Sequence, residues 1–190
     1  NMINMKHHSI FSAFATVFFT VCLASFLQGQ DLGSLWKVNL PGGVVMYVNP
    51  TASAATNLSW GGYTSTVPGT DITALPNYST TESARNDFNG ESNTDAIVKQ
   101  VGTNNGSLYG AKYCADMVAF GYDDWYLPAL GELVEMRKQH GEKMGSATYW
   151  SSTENSSAAA FIQLRESSTQ AYSEITRAKF VVNICRCVRR

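Results

Sequence analysis

Hydrophobic and polar positions change their rhythm three times along the chain. Residues 10–27 form an apolar run with no charge, preceded by Lys6, His7 and His8. The run approaches the length that crosses a bilayer, but small residues Ala24, Ser25 and Gly29 follow it and no Lys or Arg cluster closes it. That is the pattern of a secretory signal peptide over residues 1–30, which leaves a mature chain of residues 31–190 in one domain. No membrane contact is expected after cleavage unless Cys22 carries a lipid, and Phe19-Thr20-Val21 ahead of it lack the usual leucine and small-residue pattern.

In the mature chain, Gly42 and Gly43 lead into Val44–Val48, rich in β-formers, and Pro50 ends the run, so a strand is predicted there. From Thr51 to Gly106 the chain is Ser, Thr, Asn, Gly and Pro with isolated aromatics such as Trp60, Tyr63, Tyr78 and Phe88. No period emerges, and short strands and turns packed on those aromatics are expected. Leu108, Ala111, Ala115 and Val118 then follow the spacing of one helical face, with Cys114 beside them.

A second helix is predicted in "WYLPALGELVEMRKQHG", with Pro128 at its first position, Glu132 and Glu135 early, and Arg137, Lys138 and His140 late. Gly141 is suited to end it, and Leu130, Leu133 and Val134 make its apolar face. After Gly145 the rhythm shortens to strands: "ATYWSS", "AAAFIQL", "QAYSEIT" and "KFVVNICRCVR", parted by polar turns. One strand, a loop-rich stretch, two helices and an antiparallel meander make an α+β fold, two helices packed on a mostly antiparallel sheet.

Composition adds limits. The chain has 190 residues, 44% hydrophobic and 15% charged, the range of a globular domain with an adequate core. The mature part holds 13 basic and 15 acidic side chains, a net charge of −2 that excludes a general nucleic-acid binder. Arg177, Lys179, Arg186, Arg189 and Arg190 gather near the end, where solvated strand residues are the plainer reading. Cys114, Cys185 and Cys187 allow one disulfide with one thiol left over. Metal-ligand spacing is absent and His140 is the only mature histidine, so neither a metal nor another cofactor is expected.

Catalytic readings find little support. A nucleophile at Ser151 or Ser152 needs a base, and His140 already suits a helix C-terminus. The pairs Asp123 with Asp124 and Glu132 with Glu135 read as structural, the first at a helix entrance and the second on a solvated helix face. Recognition by turn tips and exposed strand positions points instead to Asn155, Ser156, Ser157, Arg165, Glu166, Tyr172, Glu174 and Arg177.

Five ordered motifs, "FNGESNT", "AKYC", "DWYLPALGEL", "YWSSTE" and "RCVR", resemble a family of bacterial secreted domains named for the C-terminal domain of the Legionella collagen-like adhesin. The resemblance runs from Gly42 onward and implies a C-type-lectin-like fold with Trp125, Leu127, Pro128, Glu132, Leu133, Tyr149, Trp150, Ser151, Ser152, Glu154 and Arg189 as its signature. It implies a disulfide between Cys114 and Cys187, with Cys185 spare. Collagen-like Gly-X-Y repeats and the calcium-lectin motifs EPN and WND are absent, which argues against stalk-borne display and calcium-dependent sugar binding.

The function so implied is that of a secreted or cell-surface adhesin module binding a glycan or a host or cell-surface protein. Competing readings are a variable ligand-binding protein of a diversity-generating retroelement, a structural subunit of a surface fibre, and an oxidase like the formylglycine-generating enzymes using "CRC". The last asks two cysteines on one strand face to hold copper or a mobile disulfide, which strains the geometry.

Overall fold

The computed structural model describes residues 34–50, 58–61, 71–166, 169 and 171–190. The predicted signal segment and Cys22 lie outside the described residues. Among the described residues the chain is α+β, with four α-helices and two antiparallel three-stranded sheets.

The first sheet has the order β1-β2-β6, with β1 at Trp36–Asn39, β2 at Val45–Val48 and β6 at Val188–Arg189. A turn over Pro41–Gly43 joins β1 to β2, and Gly42 and Gly43 take φ of 77° and 79°, values that glycine adopts freely. Alternation buries Val38, Met46 and Val48 on one face and leaves Lys37 and Asn39 in solvent. The buried face packs with Val188, Tyr126, Leu133 and Met136 into one core cluster.

The second sheet has the order β3-β4-β5, with β3 at Tyr149–Glu154, β4 at Ala159–Arg165 and β5 at Tyr172–Ala178. All six residues of β3 are buried; helices pack on the strand, and Trp60 Nε1 donates to Ser151 O at 2.7 Å. Trp150 is fully buried in the main core with Trp60, Trp125 and Ile162, the anchor its sequence setting suggested.

Among the described residues four α-helices form where the sequence predicts two. They are α1 at Thr81–Ala84, α2 at Gly90–Val101, α3 at Gly110–Ala115 and α4 at Leu130–Met144. Helix α2 escapes the hydrophobic period because two of its buried positions, Asn93 and Thr94, are polar and held by hydrogen bonds. Helix α3 is shorter than its stripe suggests: Ala111 and Cys114 are buried, whereas Leu108 and Val118 are 47% and 77% exposed beyond its ends.

Helix α4 also differs at both ends. Its first residue is Leu130, so Pro128 lies ahead of the helix, where its carbonyl accepts from Ser152 N at 2.8 Å. The helix passes Gly141 and stops at Gly145, whose φ is 66°, while His140 sits at a local departure from helical geometry. Glu132 is fully buried and not on a solvated face, and Glu135 is half-buried beside Lys138 at 2.6 Å.

The expected fourth strand of the meander divides. After β5 the chain turns at buried Lys179, touches Leu58 and Tyr149 through single bridges at Asn183 and Ile184, and enters the first sheet as β6. Lys179 fixes that departure: its ammonium pairs with Glu154 inside the protein and lies 4.4 Å from the Trp60 ring centre.

Candidate functional site

The signature motifs converge on one polar knot. Asp87 Oδ2 accepts from Thr153 Oγ1 at 2.7 Å and Asn93 Nδ2 at 2.8 Å, and its Oδ1 accepts from Asn89 N at 3.1 Å. Thr94 Oγ1 donates to Gly90 O at 2.8 Å and accepts from Leu127 N at 3.0 Å, tying α2 to the segment before α4. Ala129 has no side-chain acceptor for the start of α4, and Thr153 Oγ1 accepts from Leu130 N at 2.9 Å in its place.

Glu132 completes the knot from the first turn of α4. It accepts from Ala129 N at 2.9 Å, Tyr126 OH at 3.1 Å and Arg190 Nη2 at 2.7 Å. Burial pushes its carboxyl up to about 7, outweighing those three bonds, which all favour the anion. A Cβ on Gly90 would come 2.2 Å from Glu132 Oε2, and one on Gly131 2.6 Å from Asp87 O, so both glycines answer to close approach. Three of the five motifs therefore bind one another, and their buried polar groups are spent in folding.

The remaining motifs close the other sheet. Cys114 on α3 and Cys187 beside β6 form a disulfide across 73 residues, the pair the resemblance implies. Cys185 is a buried thiol whose ionisation burial disfavours. "CRC" thus holds one disulfide sulfur and one buried thiol, not a free pair. Arg189 grips Asp124 with two bonds of 2.6 and 2.7 Å, which hold the Asp124 carboxyl below its ordinary range, and lies 3.7 Å over the Tyr122 ring.

No catalytic constellation gathers among these groups. Ser151 Oγ donates to Phe161 O at 2.8 Å, and Ser152 Oγ meets Asn93 Nδ2 at 3.4 Å. Both hydroxyls are buried. Glu154 accepts from Ile72 N and from Lys179; burial pushes its carboxyl up and the Lys179 ammonium down. His140 Nε2 donates to Lys37 O at 2.8 Å, with its ring 5.8 Å from Trp36, so it serves the edge of β1. Among the described residues no group of three His, Cys, Asp or Glu is placed to hold a metal ion.

The predicted recognition residues fall into separate groups. Asn155, Ser156 and Ser157 form the β3–β4 turn, with Arg177 near them because it pairs with Ala160 in register. Arg165, Glu166 and Tyr172 sit at the other end of the β4–β5 ladder, about 20 Å away at 3.3 Å per residue. Several are committed inside the chain: Asn155 Nδ2 to Tyr78 O at 2.7 Å, Tyr172 OH to Gly141 O at 2.7 Å, and Ser156 Oγ to the amides of its own turn.

Glu174 corrects the expectation outright. Its side chain is fully buried between Arg85 and Arg137, and Gln163 Nε2 donates to it at 3.2 Å. It is a structural counter-ion that ties β5 to α1 and α4. Ser157 stays exposed, and beside its turn lie Phe180 and Val182, 51% and 50% exposed. Reading "KFVVN" as strand hid them; the lysine inside an apolar run was the signal of a turn.

These two apolar residues are held on a fixed frame. Lys179 N donates to Ala158 O at 3.0 Å, which joins the 179–182 turn to the β3–β4 turn, and the buried Lys179–Glu154 pair anchors both. Asn155 and Tyr78 lock the same end from below through Tyr78 N to Glu154 O at 3.1 Å.

No family model matches the sequence, and no curated protein matches it. Among the described residues no helix is long and apolar enough to cross a membrane. A disulfide linking two distant segments fits a protein kept in an oxidising compartment such as the cell surface. The structure is similar to that of a fimbrial protein from Bacteroides ovatus, with a TM-score of 0.48 and 19% identity over 75% of this chain, and the match spans 35% of that protein.

Proposed function

We propose that the chain is an extracellular binding module on a C-type-lectin-like scaffold, not an enzyme, and that it recognises a glycan or a cell-surface protein at the end of the second sheet. The observation that carries this reading is the pairing of exposed Phe180 and Val182 with the Ser157 turn on a frame locked by Lys179 and Glu154. An exposed aromatic on a rigid turn supplies a stacking face for a sugar ring or an anchor for a protein surface, and the serine turn supplies hydroxyl contacts.

The catalytic alternative is disfavoured by burial of both signature serines and by the engagement of His140 at β1. Screening the disulfide-intact protein against immobilised glycans and cell-surface proteins, with and without a calcium chelator, tests the reading. Phe180→Asp is expected to weaken the binder found by about tenfold or more, with no effect of chelation. Equal binding by the variant would place recognition elsewhere, and turnover of the bound molecule would make the protein an enzyme.

A further inference from the structure

Strand β5 forms the outer edge of its sheet, and its register shows which backbone groups face outward. The ladder with β4 pairs Ala159 with Ala178 through to Arg165 with Tyr172. Bonds from Lys179 N to Ala158 O at 3.0 Å and from Glu166 N to Ala171 O at 2.7 Å bracket it. Antiparallel alternation then aims the N–H and C=O of Ser173, Ile175 and Arg177 at β4, and those of Tyr172, Glu174, Thr176 and Ala178 outward.

Those outward groups are nearly unclaimed. Among the described residues no acceptor meets the four outward N–H groups; Ala178 O accepts from Val181 N at 3.0 Å, and Glu174 O has Thr81 Oγ1 at 3.5 Å. The strand runs seven residues without proline, lysine or bulge, three devices that blunt an edge; its two charges are Glu174, turned inward, and Arg177 near its end. Ile175, in its middle, is 44% exposed.

The pattern is symmetric about Ile175. A two-fold axis normal to the sheet at that residue sets Glu174 opposite Thr176 and Tyr172 opposite Ala178 of a second copy, so outward groups meet outward groups. Ile175 then meets Ile175, extending the Ile162–Ile175 cross-strand pair into a four-residue apolar ladder. The same operation sets Ser173 opposite Arg177.

Charge argues for this occupant. Glu166 accepts from Ser173 Oγ at 3.0 Å and from Thr169 Oγ1 at 3.2 Å, while Arg177 donates to Asn183 Oδ1 at 3.1 Å. Among the described residues neither side chain has an oppositely charged partner within the chain. They lie on one face at opposite ends of the ladder, so the two-fold brings Arg177 of one copy over Ser173, beside Glu166 of the other, twice.

We propose that two copies of this chain associate through the outer edges of β5, antiparallel about Ile175, joining two three-stranded sheets into one of six strands. The pairing needs no ligand and stands apart from the binding reading above. It brings Glu166 and Arg177, which one copy leaves at opposite ends of the ladder, together on a single face.

Sedimentation of the disulfide-intact protein over a concentration series tests it, together with cross-linking. The wild type is expected to shift from monomer to dimer, and Ile175→Cys to form a disulfide-linked dimer under mild oxidation, since facing non-hydrogen-bonded residues lie within disulfide reach. Glu166→Arg and Arg177→Glu are each expected to weaken association about tenfold, and the double swap to restore it. Both side chains are half-buried and each makes a hydrogen bond within the chain, so circular dichroism and the denaturation midpoint of each variant are compared with the wild type before association is read. A protein that stays monomeric at every concentration, an Ile175→Cys variant that forms no linked dimer, or a double swap no better than either single one overturns the proposal.

Discussion

The two sheets finish their outer strands in opposite ways. At β1 the edge is covered: Gln139 Oε1 accepts from Asn39 N at 2.9 Å, Gln139 Nε2 donates to Asn39 O at 2.8 Å, and His140 takes Lys37 O. One amide side chain thus satisfies both outward groups of a strand residue, as a neighbouring strand would. Lys143 and Arg186 lie 5.5 and 5.0 Å from the Trp36 ring and shield the start of that strand. At β5 the cover is slighter among the described residues: Glu174 O has Thr81 Oγ1 at 3.5 Å and Ala178 O accepts from Val181 N, but the four outward N–H groups meet no acceptor, although the strand is longer and carries an exposed isoleucine. An edge costs a protein aggregation risk, and a chain that closes one edge side chain by side chain and leaves the other open has a use for the open one.

Perturbations should separate a sheet that is stapled shut from one that is open. The largest effect is expected at the staple: replacing Cys114 with Ser releases a link closing a 73-residue separation and should lower unfolding stability by about 4 kcal/mol in chemical denaturation. Next comes the buried knot that supports both sheets. Glu132 holds its proton more tightly folded, at about 7, than at its ordinary 4.5, so its contribution is present at low pH and is lost as pH rises through 7. The loss is up to about 3 kcal/mol, and Glu132→Gln should flatten that part of the stability–pH curve.

Smaller effects test the edges themselves. Gln139→Ala uncovers Asn39 and should cost about 1 kcal/mol, read as a lowered denaturation midpoint, with faster exchange of the Asn39 amide. Thr176→Val on the open edge should change monomer stability by less than about 0.5 kcal/mol, because its side chain is exposed and makes no hydrogen bond among the described residues. A large loss there would mean that β5 has cover within its own chain, and the contrast between the edges would disappear.

Much of the second sheet was legible because β3, β4 and the first part of β5 follow strand composition and sit between polar turns. The first sheet was harder. Its strands come from both ends of the described chain, and β6 has only two residues, so no local pattern announces that "RCVR" leaves the meander. Helix α2 was hidden by Asn93 and Thr94, whose burial depends on a carboxylate six residues away at Asp87 and on Leu127, which no local window contains. Polar residues on turns and strands look alike in sequence whether they face solvent or, like Glu174, neutralise two arginines. What marks the open edge is that its outward N–H groups find no acceptor among the described residues, a property of the strand's neighbours that no sequence window displays.

Residue-level amide hydrogen exchange, run on dilute and on concentrated protein, tests the contrast most directly. The account predicts a slow Asn39 amide at both concentrations, and Glu174 and Thr176 amides that exchange fast when dilute and become protected when concentrated. Slow exchange at Thr176 in dilute protein, or fast exchange there at every concentration, would contradict it.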